Sequence, residues 1–373
     1  MSTDPMNADQ DPSPESQPEF GVTKWQSQDH LRSATPLRDQ NIVDQAKPVK
    51  KEDVVPLQPL QKSLLEQFKE GTLLSTQLGE AGIPERKKLV GDWLCEGDLS
   101  FVFARRGLGK TWFSLGLACA IAGKSDFGPW QVHENLPVLY VDGEMPCEVI
   151  HERVSGLGAS DSLSVLNHEA LFHKNGSVLN LTDSLSQEAL TQLCIEGGFR
   201  VLMLDNLSCL FSGVKENEAD DWEKILPWFL QLRRHRIAVV IVAHSGRDGK
   251  HMRGTSRRED AAFSVIRLDD PAESGELKDG AKFLLRFTKD RNSHTEQPVI
   301  EWTFQTISDG KVRISNKHAD SREVLLGWVR DGLTSATDIA DEMGLSKGTV
   351  SKMARKLADE GRLKITGREY SLP

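Results

Sequence analysis

Ala104 to Thr111 read A-R-R-G-L-G-K-T, between an apolar run (Leu99 to Phe103) and a helical pattern that starts near Trp112. A glycine-rich bend between strand and helix aims backbone N–H groups at an anion, and the helix N-terminus adds its partial positive charge. In that pattern the N–H groups of Arg106 to Lys110 cradle a polyphosphate, Lys110 neutralises its outer phosphates, and the Thr111 hydroxyl holds Mg2+. Arg105, Arg106, Gly107, Leu108, Gly109, Lys110, Thr111 and Trp112 are therefore the expected nucleotide-contacting stretch, with ATP and Mg2+ as ligands. Ala104 stands where GxxxxGK[ST] has its first glycine. Alanine is tolerated there at negative φ, while Gly107 and Gly109 supply the flexible positions.

Cleavage of a phosphoanhydride also needs a metal-holding carboxylate, an oriented water and a group that stabilises the transition state. The run RVLMLDN ends a strand pattern in Asp205, the expected second partner of the metal beside Thr111. The run VLYVDGEMP places Asp142 and Glu144 at the end of another strand; Glu144 is the expected catalytic base and Asp142 the alternative. His244 follows the strand AVVIVA, where a ring N–H can sense the γ-phosphate. Lys289 and Arg291, two apart in TKDRNS at a strand end, suit a finger reaching a neighbouring protomer's nucleotide, which requires a ring or filament. The stretch SGRDGKHMRGTSRRED gathers Arg247, Lys250, His251, Arg253, Arg257 and Arg258 among glycines, the best candidate for touching a phosphodiester backbone, with Arg247, Lys250, Arg253 and Arg257 the expected contacts.

These residues need a scaffold. Strand-like runs at Val138 to Asp142, Val201 to Asp205, Ala238 to Ala243, Phe263 to Leu268, Phe283 to Thr288 and Val299 to Phe304 alternate with helical stretches. That alternation predicts an α/β fold, a RecA-like P-loop NTPase core with a mostly parallel sheet and the nucleotide at the carboxyl ends of its strands. The last two runs flank Asp290 to Ser293 and are expected to form a hairpin at a sheet edge.

The expected domain order is a disordered N-terminal tail at 1–60, rich in Pro, Gln, Asp and Ser, then the ATPase domain at 61–307, a linker at 308–320 and a C-terminal module at 321–373. Helical patterns at Ser321 to Gly332, Ala336 to Met343 and Ser346 to Glu360, followed by an alternating tail around Gly367, describe a winged helix-turn-helix. Its third helix carries Lys347, Lys352 and Arg355, so duplex DNA is an expected partner. From Asp320 to Pro373, however, nine basic side chains face nine acidic ones, which leaves a protein-contact role as the alternative.

Composition narrows the class. A formal net charge of -9 over 373 residues argues against a surface uniformly coated for nucleic acid, so any DNA contact must be local. Cys95, Cys119, Cys147, Cys194 and Cys209 are odd in number and form no CxxC pair, the pattern of reduced, buried thiols in a cytoplasmic protein. No signal peptide or membrane span is expected.

With these motifs assembled, the stretch from about Glu85 to Phe304 resembles the RepA-like branch of RecA-type ATPases, the hexameric plasmid replication helicases, and more distantly the DnaB replicative helicases. The resemblance rests on ARRGLGKT, on VLYVDGEMPCEVIHERVSGLG with Glu144 and Arg153, on LMLDN, on VAHS and on RGTSRREDAAFSVIRL. It implies a hexameric homo-oligomer with ATP sites between protomers, the basic loop facing single-stranded DNA in a pore, Glu144 polarising water, Lys289 and Arg291 acting in trans, and replication or mobile-element proteins as partners. Three features depart from the family: Ala104, Met145 in place of a second acid, and the added C-terminal module. The leading expectation is thus an ATP-driven motor on single-stranded DNA. The alternative is an ATP-gated regulator or loader that finds duplex DNA through the winged helix.

Overall fold

The structure is a computed structural model describing residues 62–213, 219–246, 249–254, 257–271, 277, 279–295, 297–343 and 345–373. The expected tail at 1–60 lies outside them. The described chain divides into two units on either side of Ala81 and Gly82, each taken by itself.

In the first unit, helix α1 (Leu64–Gly71) opens on a capping box in which Ser63 accepts from the Glu66 N–H and Glu66 accepts from the Ser63 N–H. Its apolar residues Leu64, Leu65 and Phe68 are all exposed.

The second unit begins with a small antiparallel pair, β1 (Lys88–Val90) and β2 (Leu94–Cys95), and then the central strand β3 (Leu99–Ala104). After the phosphate loop come α2 (Lys110–Gly123), β4 (Val138–Asp142), α3 (Cys147–Leu157), β5 (Leu163–Asn167), α4 (His168–Asn175) and α5 (Ser184–Glu196). There follow β6 (Val201–Asp205), α6 (Leu207–Leu210), α7 (Ala219–Arg234), β7 (Ala238–His244), α8 (Arg257–Asp260), β8 (Ser264–Asp269), β9 (Gly280–Asp290), β10 (Ile300–Thr306) and β11 (Val312–His318).

Nine of these strands make one sheet in the order β11-β10-β9-β8-β3-β7-β6-β4-β5. The six from β8 to β5 are parallel, and β9, β10 and β11 continue the sheet antiparallel. Strands β3, β4 and β6 are buried at every residue because both sheet faces are covered, which is why they read as largely apolar runs. One face packs Phe113, Phe127, Trp302 and Phe304 with α2; the other packs Trp222, Trp228 and Phe229 from α7.

The β9–β10 hairpin is present, yet it is not at the sheet edge. β11 covers it, and β11 lies inside the stretch expected to be the 308–320 linker.

Beyond it, α9 (Ser321–Arg330), α10 (Ala336–Glu342) and α11 (Lys347–Asp359) enclose a small core of Leu325, Ile339, Val350, Ala354 and Leu357. Strands β12 (Lys364–Thr366) and β13 (Glu369–Ser371) form a hairpin that turns at Gly367, where φ is +63°. This module belongs to the same compact unit as the sheet.

Its seat is ionic. At the carboxyl end of β8, Arg267 and Arg286 both reach Asp269 and Asp331, and the Arg286 guanidinium lies over the Trp328 ring at 4.7 Å. An expectation fails at Cys147, which is exposed, and at Cys209, which is only half-buried; none of the five cysteines forms a disulfide. No helix among the described residues is long and apolar enough to cross a membrane.

Candidate nucleotide site

The phosphate loop leaves β3 at Ala104, which pairs with His244 on β7, so the loop sits at the carboxyl end of the sheet. Ala104 is not among the positive-φ residues, so alanine fits where the pattern has glycine, whereas Gly107 (φ +78°) and Gly109 (φ +96°) use backbone that side chains rarely adopt. A Cβ on Gly109 would come within 2.5 Å of the Ala281 Cβ, so the loop lies tight against β9.

A cavity of about 300 Å³ opens above the loop, lined by Arg106, Gly107, Gly109, Lys110, Thr111, Trp112, Glu144, Met145, Arg153, Asp205, Asn206, His244 and Gly280. The Lys110 ammonium donates to the carbonyls of Ala104 (3.2 Å) and Arg105 (2.9 Å) and is held at the cavity floor. Burial pulls it below its ordinary value, and the carboxylates of Asp205 and Glu144 oppose that pull. More negative charge in the cavity would stabilise this ammonium, as polyphosphate does.

Asp205 ends β6 fully enclosed. Burial raises its carboxyl, while hydrogen bonds from the Tyr140 hydroxyl (2.7 Å) and from Thr111 hold the charged form. Ser114 completes this buried line at 2.8 Å from the Tyr140 oxygen. Among the described residues no group of three or more His, Cys, Asp or Glu is arranged to hold a metal. A Thr111–Asp205 pair alone suits Mg2+, which keeps several positions for water and phosphate oxygens. When bound, the metal neutralises charge on the terminal phosphates.

The two carboxylates of VLYVDGEMP part company. Asp142 is fully buried, accepting from the Met145 N–H (3.1 Å) and from the Asn167 amide (2.7 Å), and burial with the nearby Asp205 charge pushes it up to about 7. It braces the turn. Glu144 is exposed in the cavity and accepts a hydrogen bond from the Asn206 amide, on the residue after Asp205. Only Glu144 faces the space that a nucleotide and a water would occupy.

Residues 65–250 match the AAA domain family. This stretch is similar to AAA-type ATPase domains and holds the P-loop and most of the parallel strands described above. A KaiC-like protein from the hyperthermophilic archaeon Pyrococcus horikoshii OT3 is similar over 60% of this chain and 91% of its own, at 15% identity and a TM-score of 0.42. No curated protein matches the chain.

The ATPase domain gathers most of the expected nucleotide residues and redirects others. The Arg105 side chain lies against Gly249 and, with Leu108, lines a separate cavity of about 220 Å³, so neither lines the nucleotide cavity. His244 is half-buried at the cavity wall.

Lys289 and Arg291 lie at the other end of the sheet. Lys289 pairs with Val265, beside Ser264 and Ser100 at the amino ends of β8 and β3, roughly 13 Å of strand away from the loop of their own chain. Arg291 is exposed; Lys289 is half-buried, donates to the Glu259 carbonyl, and is lowered by burial and by Arg291.

Of the expected DNA-contacting residues, Arg247 lies outside the described residues. Lys250 is half-buried, its carbonyl accepting from Arg267 at 3.3 Å; Arg253 is exposed; Arg257 is exposed and paired with Glu223. Ser245 pairs with Met252 in an isolated bridge, and the Gly246 N–H donates to the His251 carbonyl at 2.8 Å. Lys347, Lys352 and Arg355 are exposed on α11.

Three residues of the site carry no assigned role in the sequence reading, Arg153 being named there only as part of the resemblance. Asn206 orients Glu144, Tyr140 supports Asp205, and Arg153 stands over the Trp112 ring at 4.7 Å on the cavity wall. Arg153 had a signal, its place in HERVSGLG. Tyr140 reads as one more apolar strand residue, and the Asn206–Glu144 contact joins two distant segments.

Proposed function

We propose that the chain is an ATP-hydrolysing, ring-forming motor of the RepA-like helicase kind, acting on single-stranded DNA in replication or maintenance of a mobile element. The observation that carries this reading is the convergence of Lys110, the Thr111–Asp205 pair and the Asn206-oriented Glu144 on one cavity, with an exposed arginine at the far end of the same sheet. Glu144 takes a proton from the attacking water, Lys110 and Arg153 balance phosphate charge, and His244 reports the γ-phosphate to the loop that carries Lys250 and Arg253. Arg291, with Lys289, completes the site of the next protomer, since it cannot reach its own. A hexamer satisfies that geometry by closed rotation.

The test is strand displacement on a forked DNA substrate with ATP and Mg2+. Displacement that disappears on Lys110→Ala is the expected result. DNA-stimulated hydrolysis without displacement across a wide range of protein and salt would overturn the motor.

A second reading, an ATP-gated regulator or loader, is favoured by the seating of the C-terminal module. Its arginine–aspartate joint lies at the phosphate-loop end of the sheet, and Arg105 of the loop packs on Gly249, the neighbour of Lys250, whose carbonyl Arg267 grips. In that reading the module acts as a winged helix on duplex DNA, and deleting 321–373 removes duplex binding while hydrolysis persists.

A further inference from the structure

We infer that Asn292 is the positioning residue for Arg291, fixing the backbone from which that guanidinium is presented to a second copy of the chain. The inference rests on the trans role of Arg291 proposed above and names what makes that arginine precise.

Arg291 is an exposed side chain on a backbone held at three points. Its own N–H donates to the Phe263 carbonyl at 2.9 Å. Asp290 Oδ1 accepts from the Asn292 and Ser293 N–H groups (3.1 and 3.2 Å), which closes the turn on itself. The Asn292 amide then reaches away from the turn, donating to the Trp93 carbonyl at 2.9 Å and to Asp98 Oδ2 at 2.7 Å. Both amide hydrogens are used, so the side chain has one orientation.

The anchor is itself immobile. Asp98 is 1% exposed, and its carboxylate also accepts from the Cys95 N–H (2.7 Å) and from Arg86. Arg86 and Arg233 lie over the Phe263 ring at 4.5 and 4.9 Å, so the residue that accepts from the Arg291 N–H belongs to the same assembly. Asn292 is the one turn residue whose side chain crosses to that anchor. A donated arginine stabilises a transition state only when its guanidinium arrives within a fraction of an ångström, and a displacement of about 1 Å costs on the order of a hundredfold in rate. Cutting the tether should therefore lower turnover without touching the chain's own nucleotide cavity, which lies at the other end of the sheet.

The experiment uses the full chain and three single variants, Asn292→Ala, Arg291→Ala and Lys110→Ala. Each is measured for ATP turnover, for affinity toward a fluorescent ATP analogue and for thermal midpoint. Asn292→Ala is expected to reduce kcat at least tenfold with nucleotide affinity within twofold of the parent. Mixed with Lys110→Ala, it is expected to regain activity, because the Lys110 variant still donates an intact turn to the Asn292 variant's intact cavity.

Rescue of Arg291→Ala by Lys110→Ala without rescue of Asn292→Ala overturns the positioning role, as does an unchanged kcat for Asn292→Ala. Full turnover by Arg291→Ala, or no rescue of it in the mixture, overturns the trans reading instead. Should Asn292→Ala fail to fold, Asn292→Ser keeps one donor toward Asp98 and carries the same comparison, with an intermediate kcat expected.

Discussion

Asp142 and Glu144 are two residues apart and live in opposite surroundings, and each predicts a different measurement. Glu144 faces the cavity with Asn206 holding one carboxylate oxygen. Glu144→Gln keeps size and hydrogen bonding while removing the proton acceptor, so kcat for ATP should fall about 10²- to 10⁴-fold with analogue affinity nearly unchanged. Loss of affinity in place of turnover would remove Glu144 from the base role. Asp142, raised to about 7 from an ordinary 3.8, makes a pH signature. Its folded value lies above its unfolded one, so the folded state binds this proton more tightly. Stability is therefore lost as pH rises between about 4 and 7, by an amount on the order of 4 kcal/mol once the carboxylate is charged in both states. Asp98, raised to about 6 by burial, adds a slope of the same sign. The thermal midpoint should fall from pH 5 to pH 8, and Asp142→Asn should flatten that fall; an unchanged slope would refute the assignment. Lys110, Asp205 and Glu144 were legible because loop spacing and strand ends name them. Asn206 and Tyr140 were not, since their roles exist only once β4 and β6 lie side by side.

Elements were legible in proportion to their burial. The Val138–Asp142 and Val201–Asp205 strands match their expected limits residue for residue, because a strand covered on both faces is apolar up to the aspartate that ends it here. β11 and β5 sit at the two sheet edges; VRISNKH is largely exposed and LSVLN only partly covered, so the pattern signal is weak and the first falls in the expected linker. The joint beneath α9 was also invisible, since Arg267, Arg286 and Asp331 are ordinary charged residues until the fold brings them together. That joint predicts a mutation. Arg267 and Arg286 are nearly buried, and Asp331→Ala leaves both with Asp269 as the remaining carboxylate of the cluster. Breaking a buried pair from one side costs about 3 to 5 kcal/mol. Limited proteolysis should then separate the 321–373 module from the sheet far faster than in the parent chain, with ATP-analogue binding kept. Asp331→Asn, which retains an acceptor, should show a smaller effect, and equal protease resistance in Asp331→Ala would show that the joint does not hold the module.

At the scale of the whole molecule, the proposed contact with DNA has to contend with a net charge of -9. Long-range repulsion must be overcome by a local cationic surface. The 320–373 segment is formally neutral, but its charges are not evenly spent. Asp320, Glu323, Asp331 and Glu360 are engaged by Arg322, Arg362, Arg267 and Arg286, while Lys347, Lys352 and Arg355 stand exposed along α11 with no ion pair among the described residues. The module therefore offers a cationic helix face although its sum is zero. Each phosphate neutralised by such a side chain releases counterions and adds about -0.9 to the slope of log K against log salt concentration. Replacing Lys347, Lys352 and Arg355 together by alanine should make the slope for duplex binding shallower by about 3, with ATP turnover in the absence of DNA unchanged. If the slope stays put, α11 does not touch phosphate, and the module's neutral sum describes a protein-contact surface after all.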